Sequence, residues 1–212
     1  MSKIRTKVCG LSTAETVAAA VAGGVAYIGF NFVRKSPRYV TPEVARALAL
    51  DVPEGVGKVG LVVSPSDADL DALLDVVPLD FIQLHGDETP ERVSEVRARY
   101  GLPVIKAVGI RDAGDLDTLP GYEAVADMVL VDAKPPRDAV LEGGNGVAFD
   151  WRLITGRRWP KPWMLAGGLT AGNVAEAVRL TGARQVDLSS GVESAPGVKD
   201  VGMIRDFLKA VG

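Results

Sequence analysis

WMLAGGLTAGNVAEAVRLTGARQVDLSSG, residues 163–191, holds one complete structural unit and the start of the next. A short apolar run, 163–166, ends in Gly167-Gly168. A stretch of helical spacing follows and stops at Gly182; a second apolar run, 185–188, then ends in Ser189-Ser190-Gly191. Short, unbroken apolar runs are the pattern of strands buried on both faces of a parallel sheet. A glycine just past a helical stretch suits a helix C-terminus. The unit reads as strand, helix, strand.

Outward from this stretch the same unit repeats along the chain. Further apolar runs lie at 5–9, 27–32, 58–63, 81–84, 104–108 and 128–131, which makes eight strands in 212 residues. Thr41-Pro42-Glu43, Ser66-Asp67 and Thr89-Pro90-Glu91 open the intervening segments as N-caps, with proline or an acid in the first turn. Ser12-Thr13-Ala14-Glu15 has the pattern of a capping box, and Gly23 and Gly101 mark helix ends. About 26 residues per unit is close to the least a right-handed parallel crossover needs. Strict alternation leaves an open doubly wound sheet or a closed barrel. Eight evenly spaced strands, with no Gly-x-Gly-x-x-Gly after the first, favour the barrel. The expected fold is therefore α/β, a compact single (β/α)₈ TIM barrel of eight parallel strands with outer helices, one domain over 1–212. Residues 135–146, rich in proline and glycine, read as a mobile loop after strand six.

The composition narrows the function. A net charge of −3 offers no basic excess for a nucleic-acid backbone, whereas a small anion needs only a few backbone N–H groups. The one cysteine, Cys9, cannot form an intrachain disulfide, so the chain reads as cytoplasmic. Residues 17–33 are nearly uncharged, but Gly23-Gly24 divides them into a small-residue helix and a strand, so no membrane span is expected. The basic start of the chain lacks the apolar core of a signal peptide. One histidine excludes His-rich metal sites and any two-histidine relay. The expected partner is a phosphorylated small molecule, bound by a monomer or weak homodimer, with no metal and no cofactor.

In a barrel the chemistry sits at the C-terminal strand ends. Gly167-Gly168 after strand seven and Ser189-Ser190-Gly191 after strand eight fall where such barrels hold phosphate, though each could also be no more than a tight turn or a helix cap. Cys9 ends strand one, where it reads equally as a small buried hydrophobe or as a base with a lowered pKa. Asp132 closes the sixth apolar run; a partly buried carboxyl there suits a general acid, the alternative being a helix cap. Arg38 could clamp a substrate carboxylate or lie solvated on the surface. His85 contacts substrate or orders its loop.

Together these residues resemble the phosphoribosylanthranilate isomerase family. The resemblance lies in Lys7-Val8-Cys9-Gly10-Leu11, in Gly29-Phe30 with Ser36-Pro37-Arg38-Tyr39-Val40, in Gln83-Leu84-His85-Gly86 and in Leu130-Val131-Asp132-Ala133. It continues through Gly143-Gly144 with Phe149-Asp150-Trp151, Leu165-Ala166-Gly167-Gly168-Leu169, and Asp187-Leu188-Ser189-Ser190-Gly191-Val192-Glu193 with Pro196-Gly197 and Lys199-Asp200. Each motif is weak, but in order they span the chain. The resemblance implies a TIM barrel performing the cofactor-free Amadori rearrangement of tryptophan biosynthesis. It further implies Cys9 as general base, Asp132 as general acid and Arg38 on the anthranilate carboxylate. Asp187 would lie beside the anthranilate or the sugar hydroxyls, and Gly167, Gly168, Ser189, Ser190 and Gly191 would cradle the phosphate. A metal-dependent phosphosugar epimerase would want more histidines, and a catalytically silent phosphate-binding barrel would lack Cys9 or Asp132.

Overall fold

The structure is a computed structural model that describes residues 4–133 and 149–212, and in it the eight apolar runs close into a barrel. In chain order the elements are β1 (Arg5–Cys9), α1 (Ala14–Ala22), β2 (Tyr27–Asn31), α2 (Pro42–Leu50), β3 (Gly57–Val62), α3 (Asp67–Val76), β4 (Phe81–Leu84) and α4 (Pro90–Tyr100). Then come β5 (Val104–Ile110), α5 (Leu119–Val125), β6 (Met128–Ala133), β7 (Trp163–Leu165), α6 (Val174–Thr181) and β8 (Gln185–Leu188). A short hairpin of β9 (Glu193–Ala195) and β10 (Val198–Lys199) precedes α7 (Val201–Val211). Each barrel strand pairs in parallel with the next, and β1 pairs with β8 to close the ring, Lys7 opposite Asp187.

The caps act largely as their chemistry suggests. Thr41, Ser66 and Thr89 each accept from the backbone N–H three residues on, and Ser66 completes a capping box with Asp69. Gly101 and Gly182 end α4 and α6 in the left-handed conformation. One expectation needs correcting. Thr13 is the N-cap of α1, accepting from Thr16 N, so Glu15 falls one position short of closing a capping box. Gly23 ends α1 as expected, with φ −76°, and the positive φ comes one residue later at Gly24.

Short 3₁₀ turns join the alternation of strands and helices. A 3₁₀ turn (Ala113–Thr118) precedes α5, and among the described residues a 3₁₀ turn (Trp151–Ile154) is all that stands between β6 and β7. The expected loop at 135–146 lies outside the described residues. Residues 17–33 divide between α1 and β2 as expected, and no described helix is long and apolar enough to cross a membrane.

Two apolar clusters organise the molecule. The larger, with Ile28, Ile82, Val129, Val186 and Phe207, packs the strands against the helices. The smaller fills the barrel interior with Tyr27, Val59, Ile105, Ala107, Met128, Leu130, Met164 and Ala166. Successive strand residues point to opposite sides, so membership of the inner cluster sets the facing of every other position.

Candidate active site

The strand period of two carries the inner cluster into a ring of polar groups. Met128 and Leu130 face inward, so Asp132 does too; β6 runs one residue past it, so Asp132 sits within the strand rather than after it. Lys7 leads by the same rule to Cys9, Gln83 to His85 and Asp187 to Ser189. Cys9, His85, Asp132, Asp187 and Ser189 line one cavity of about 790 Å³, together with Arg38 from the β2–α2 loop. Gly167, Gly168, Ser190 and Gly191, expected beside them, lie in the adjoining loops outside the cavity lining.

Cys9 is buried, 4% exposed, which fits both readings of it. Burial pushes its thiol above the usual range; Lys7 and Lys199 oppose this and Asp187 adds to it. These surroundings favour the neutral thiol over the thiolate. Lys7, fully enclosed, places Nζ 2.9 Å from Asp187 Oδ1 across the β1–β8 seam. Burial works against the Lys7 charge, but Asp187 and Cys9 outweigh it and the ammonium is held more firmly than usual. Burial also pushes Asp187 toward its neutral form, with Lys7 opposing. The two effects pull the pair in opposite senses; the short contact and the enclosed amine identify an ion pair.

His85 and Asp132 meet across the mouth, Nε2 to Oδ2 at 3.3 Å. Asp132 Oδ1 accepts from the Ala133 N–H at 2.8 Å. Gln83, fully buried below, lies 2.8 Å by its Nε2 from His85 Nδ1.

Arg38 is no solvated surface arginine. It is 6% exposed, and its Nε and Nη2 grip Glu193 in a fork at 2.7 and 2.8 Å. Lys199 Nζ reaches the same carboxylate at 2.5 Å and donates to Ser189 O and Oγ, while Ser189 Oγ donates to Cys9 O. Burial would raise Glu193, yet Arg38 and Lys199 hold its carboxyl down at about 2. Burial lowers the Lys199 ammonium below its usual range against the pull of Glu193. Reading the strands alone missed Glu193 and Lys199 as partners of the site. Pro196-Gly197 between them is the turn signal that could have exposed the hairpin.

The glycine loops are shaped by lack of room. Gly167 has φ +87°, and a Cβ there would come 2.6 Å from Ala133 N and 3.1 Å from Asp132 Oδ1. A Cβ on Gly191 would drive into the Leu169 carbonyl, so only glycine lets the β7 and β8 loops touch. Asn173 ties down the first loop, donating to Gly168 O and accepting from Thr170 N. Among the described residues no cluster of His, Cys, Asp and Glu has the make-up of a metal site.

A family model described as N-(5'-phosphoribosyl)anthranilate isomerase matches residues 6–210. The protein of that name from Paracoccus denitrificans (strain Pd 1222) is 64% identical over 205 residues, spanning 97% of this chain and 95% of its own length. The crystal structure of phosphoribosyl anthranilate isomerase from Thermotoga maritima superposes with a TM-score of 0.88 at 34% identity, covering 98% of both chains. A crystal structure of the isomerase in complex with reduced 1-(o-carboxyphenylamino)-1-deoxyribulose 5-phosphate gives 0.83 at 32% identity, again over 98% of both. The match runs from β1 into α7, in sequence and in backbone alike: the chain belongs to the N-(5'-phosphoribosyl)anthranilate isomerase family.

Proposed function

We propose that the reaction of this family runs here by general acid–base catalysis across the barrel mouth, with Cys9 as base and Asp132 as acid. The chain isomerises N-(5-phosphoribosyl)anthranilate to 1-(o-carboxyphenylamino)-1-deoxyribulose 5-phosphate, an aldose–ketose rearrangement of tryptophan biosynthesis. Asp132 protonates the ribose ring oxygen and the ring opens to a Schiff base. Cys9 takes the C2 proton, and the enolamine tautomerises to the ketone. Atoms and electrons balance within the substrate, so a positioned acid and base suffice. The observation that carries this reading is that the chain's only thiol and the Asp132 carboxyl end inward rows on β1 and β6 and line the same cavity.

The other roles follow from position. Gly167, Gly168, Ser189, Ser190 and Gly191 hold the phosphate, where two loops come too close for side chains. Arg38, in the wall of the same cavity, meets the anthranilate carboxylate. Asp187, anchored on Lys7, lies beside the anthranilate or the sugar hydroxyls, and His85 braces Asp132. We read the chain as one catalytic domain over 1–212, cytoplasmic on the strength of its lone cysteine. Its exposed large apolar side chains among the described residues are Val44, Leu50, Val198 and Met203, on three separate elements, which supports a monomer or weak homodimer.

The test is turnover of phosphoribosylanthranilate generated in situ and followed by loss of its fluorescence. Cys9→Ala and Asp132→Asn should each lower kcat by about 10²–10⁴-fold with circular dichroism unchanged. A Cys9→Ala enzyme with near-normal kcat would remove the thiol from the mechanism.

A further inference from the structure

We propose that Gln83 is a positioning residue: it sets which nitrogen of His85 carries the proton, and thereby makes His85 a donor to Asp132. The inference rests on the reading of Asp132 as the acid. Gln83 is fully buried on the inward row of β4, two residues before His85. Its amide nitrogen can only donate, and it stands 2.8 Å from His85 Nδ1. A ring nitrogen that accepts a hydrogen bond carries no proton, so the proton of the neutral imidazole goes to Nε2. That nitrogen faces Asp132 Oδ2 at 3.3 Å, while the Ala133 N–H donates to Oδ1 at 2.8 Å.

Asp132 Oδ1 thus accepts from a backbone donor, and Oδ2 has the protonated ring nitrogen facing it at 3.3 Å. This orients the carboxyl, and it stabilises the carboxylate left behind when the proton passes to the substrate oxygen. The opposite tautomer would present a bare Nε2 to Asp132. That lone pair would compete with the ribose ring oxygen for the proton.

Packing alone does not account for a glutamine here. Gln83 Oε1 is buried with no hydrogen-bond partner among the described residues, so the amide brings a disadvantage that a methionine of similar length avoids. What methionine lacks is the donor at Nε2.

The chain has one histidine, so ring-¹⁵N NMR of the intact protein reports His85 alone. In the wild-type protein Nδ1 should resonate as an unprotonated nitrogen and Nε2 as a protonated one. Gln83→Glu replaces the donor by an acceptor and should put a proton on Nδ1; Gln83→Met should give a mixture of tautomers. With either variant kcat should fall about tenfold while KM stays within about twofold of wild type, because proton transfer rather than binding is disturbed. A wild-type His85 with its proton on Nδ1 overturns the inference without any variant. A Gln83→Met enzyme that keeps both the wild-type tautomer and the wild-type kcat also overturns it. Asp132→Asn separates the two layers of the argument. If its turnover survives, the acid assignment fails and Gln83 has nothing to position, whatever the tautomer. If its turnover is lost while both Gln83 variants keep full kcat, the role of Gln83 alone fails.

Discussion

Cys9 is caught between two demands. To act as the proposed base it must end an inward row of the barrel, and there burial pushes its thiol above the usual range. An ordinary thiol titrates near about 8.5, and a raised value moves the active thiolate to still higher pH. The free-enzyme profile, kcat/KM against pH, should therefore climb on the alkaline side until pH passes that value. A plateau reached by about pH 7.5 would show that the base is another group or that the thiol is not held up. Arg38 is forked to Glu193, and in the proposed reaction it also meets the substrate carboxylate. Arg38→Ala should raise KM by removing the carboxylate contact, and it should lower the melting temperature by leaving Glu193 without its fork. An unchanged KM would count against the contact, and an unchanged melting temperature against the fork.

At the scale of elements, the β9–β10 hairpin turns a plain barrel mouth into a braced one. It delivers Glu193 and Lys199 to Arg38, Ser189 and, through Ser189, the end of β1. This brace depends on pH. Glu193 has a folded value of about 2 against an ordinary 4.5, so it is a depressed acid. Its contribution to stability is fully present above about pH 4.5 and fades as pH falls toward 2. Urea melts of wild type and Glu193→Gln should differ most at pH 6, and the gap should shrink to less than half by about pH 3 and close only near pH 2. A constant gap across that range would mean that the charge of Glu193 does not support the fold. Strands were legible because most are continuous or near-continuous apolar runs. The hairpin was not, since a two- or three-residue strand with one turned-in acid and one turned-in lysine has no periodicity to read.

For the whole molecule the decisive contact is the seam where the ring closes. Lys7 and Asp187 are 180 residues apart in sequence and 2.9 Å apart in space. Lys7→Met strands a buried carboxyl and should cost about 3–5 kcal/mol in denaturant unfolding. Lys7→Met combined with Asp187→Leu should recover much of that stability without recovering activity. If the double variant is no more stable than the single, the loss comes from packing at the seam and not from an unpaired charge.

The amino-acid order by itself determined the eight strands, the barrel, most of the caps, and the list of polar residues at the strand ends. Those are local properties: apolar run length, the period of two, and cap chemistry are written within a few residues of one another. Only the tertiary structure decided how the polar residues divide their work. Arg38 is forked to Glu193, Lys7 to Asp187, and His85 is held between Gln83 and Asp132. Some of these partners stand on strands far apart in the chain, and closure of the ring is what brings them together. The glycines of the β7 and β8 loops were visible as glycines, but the reason for Gly191 was not: it is the carbonyl of Leu169, from the neighbouring loop, that leaves no space for a side chain.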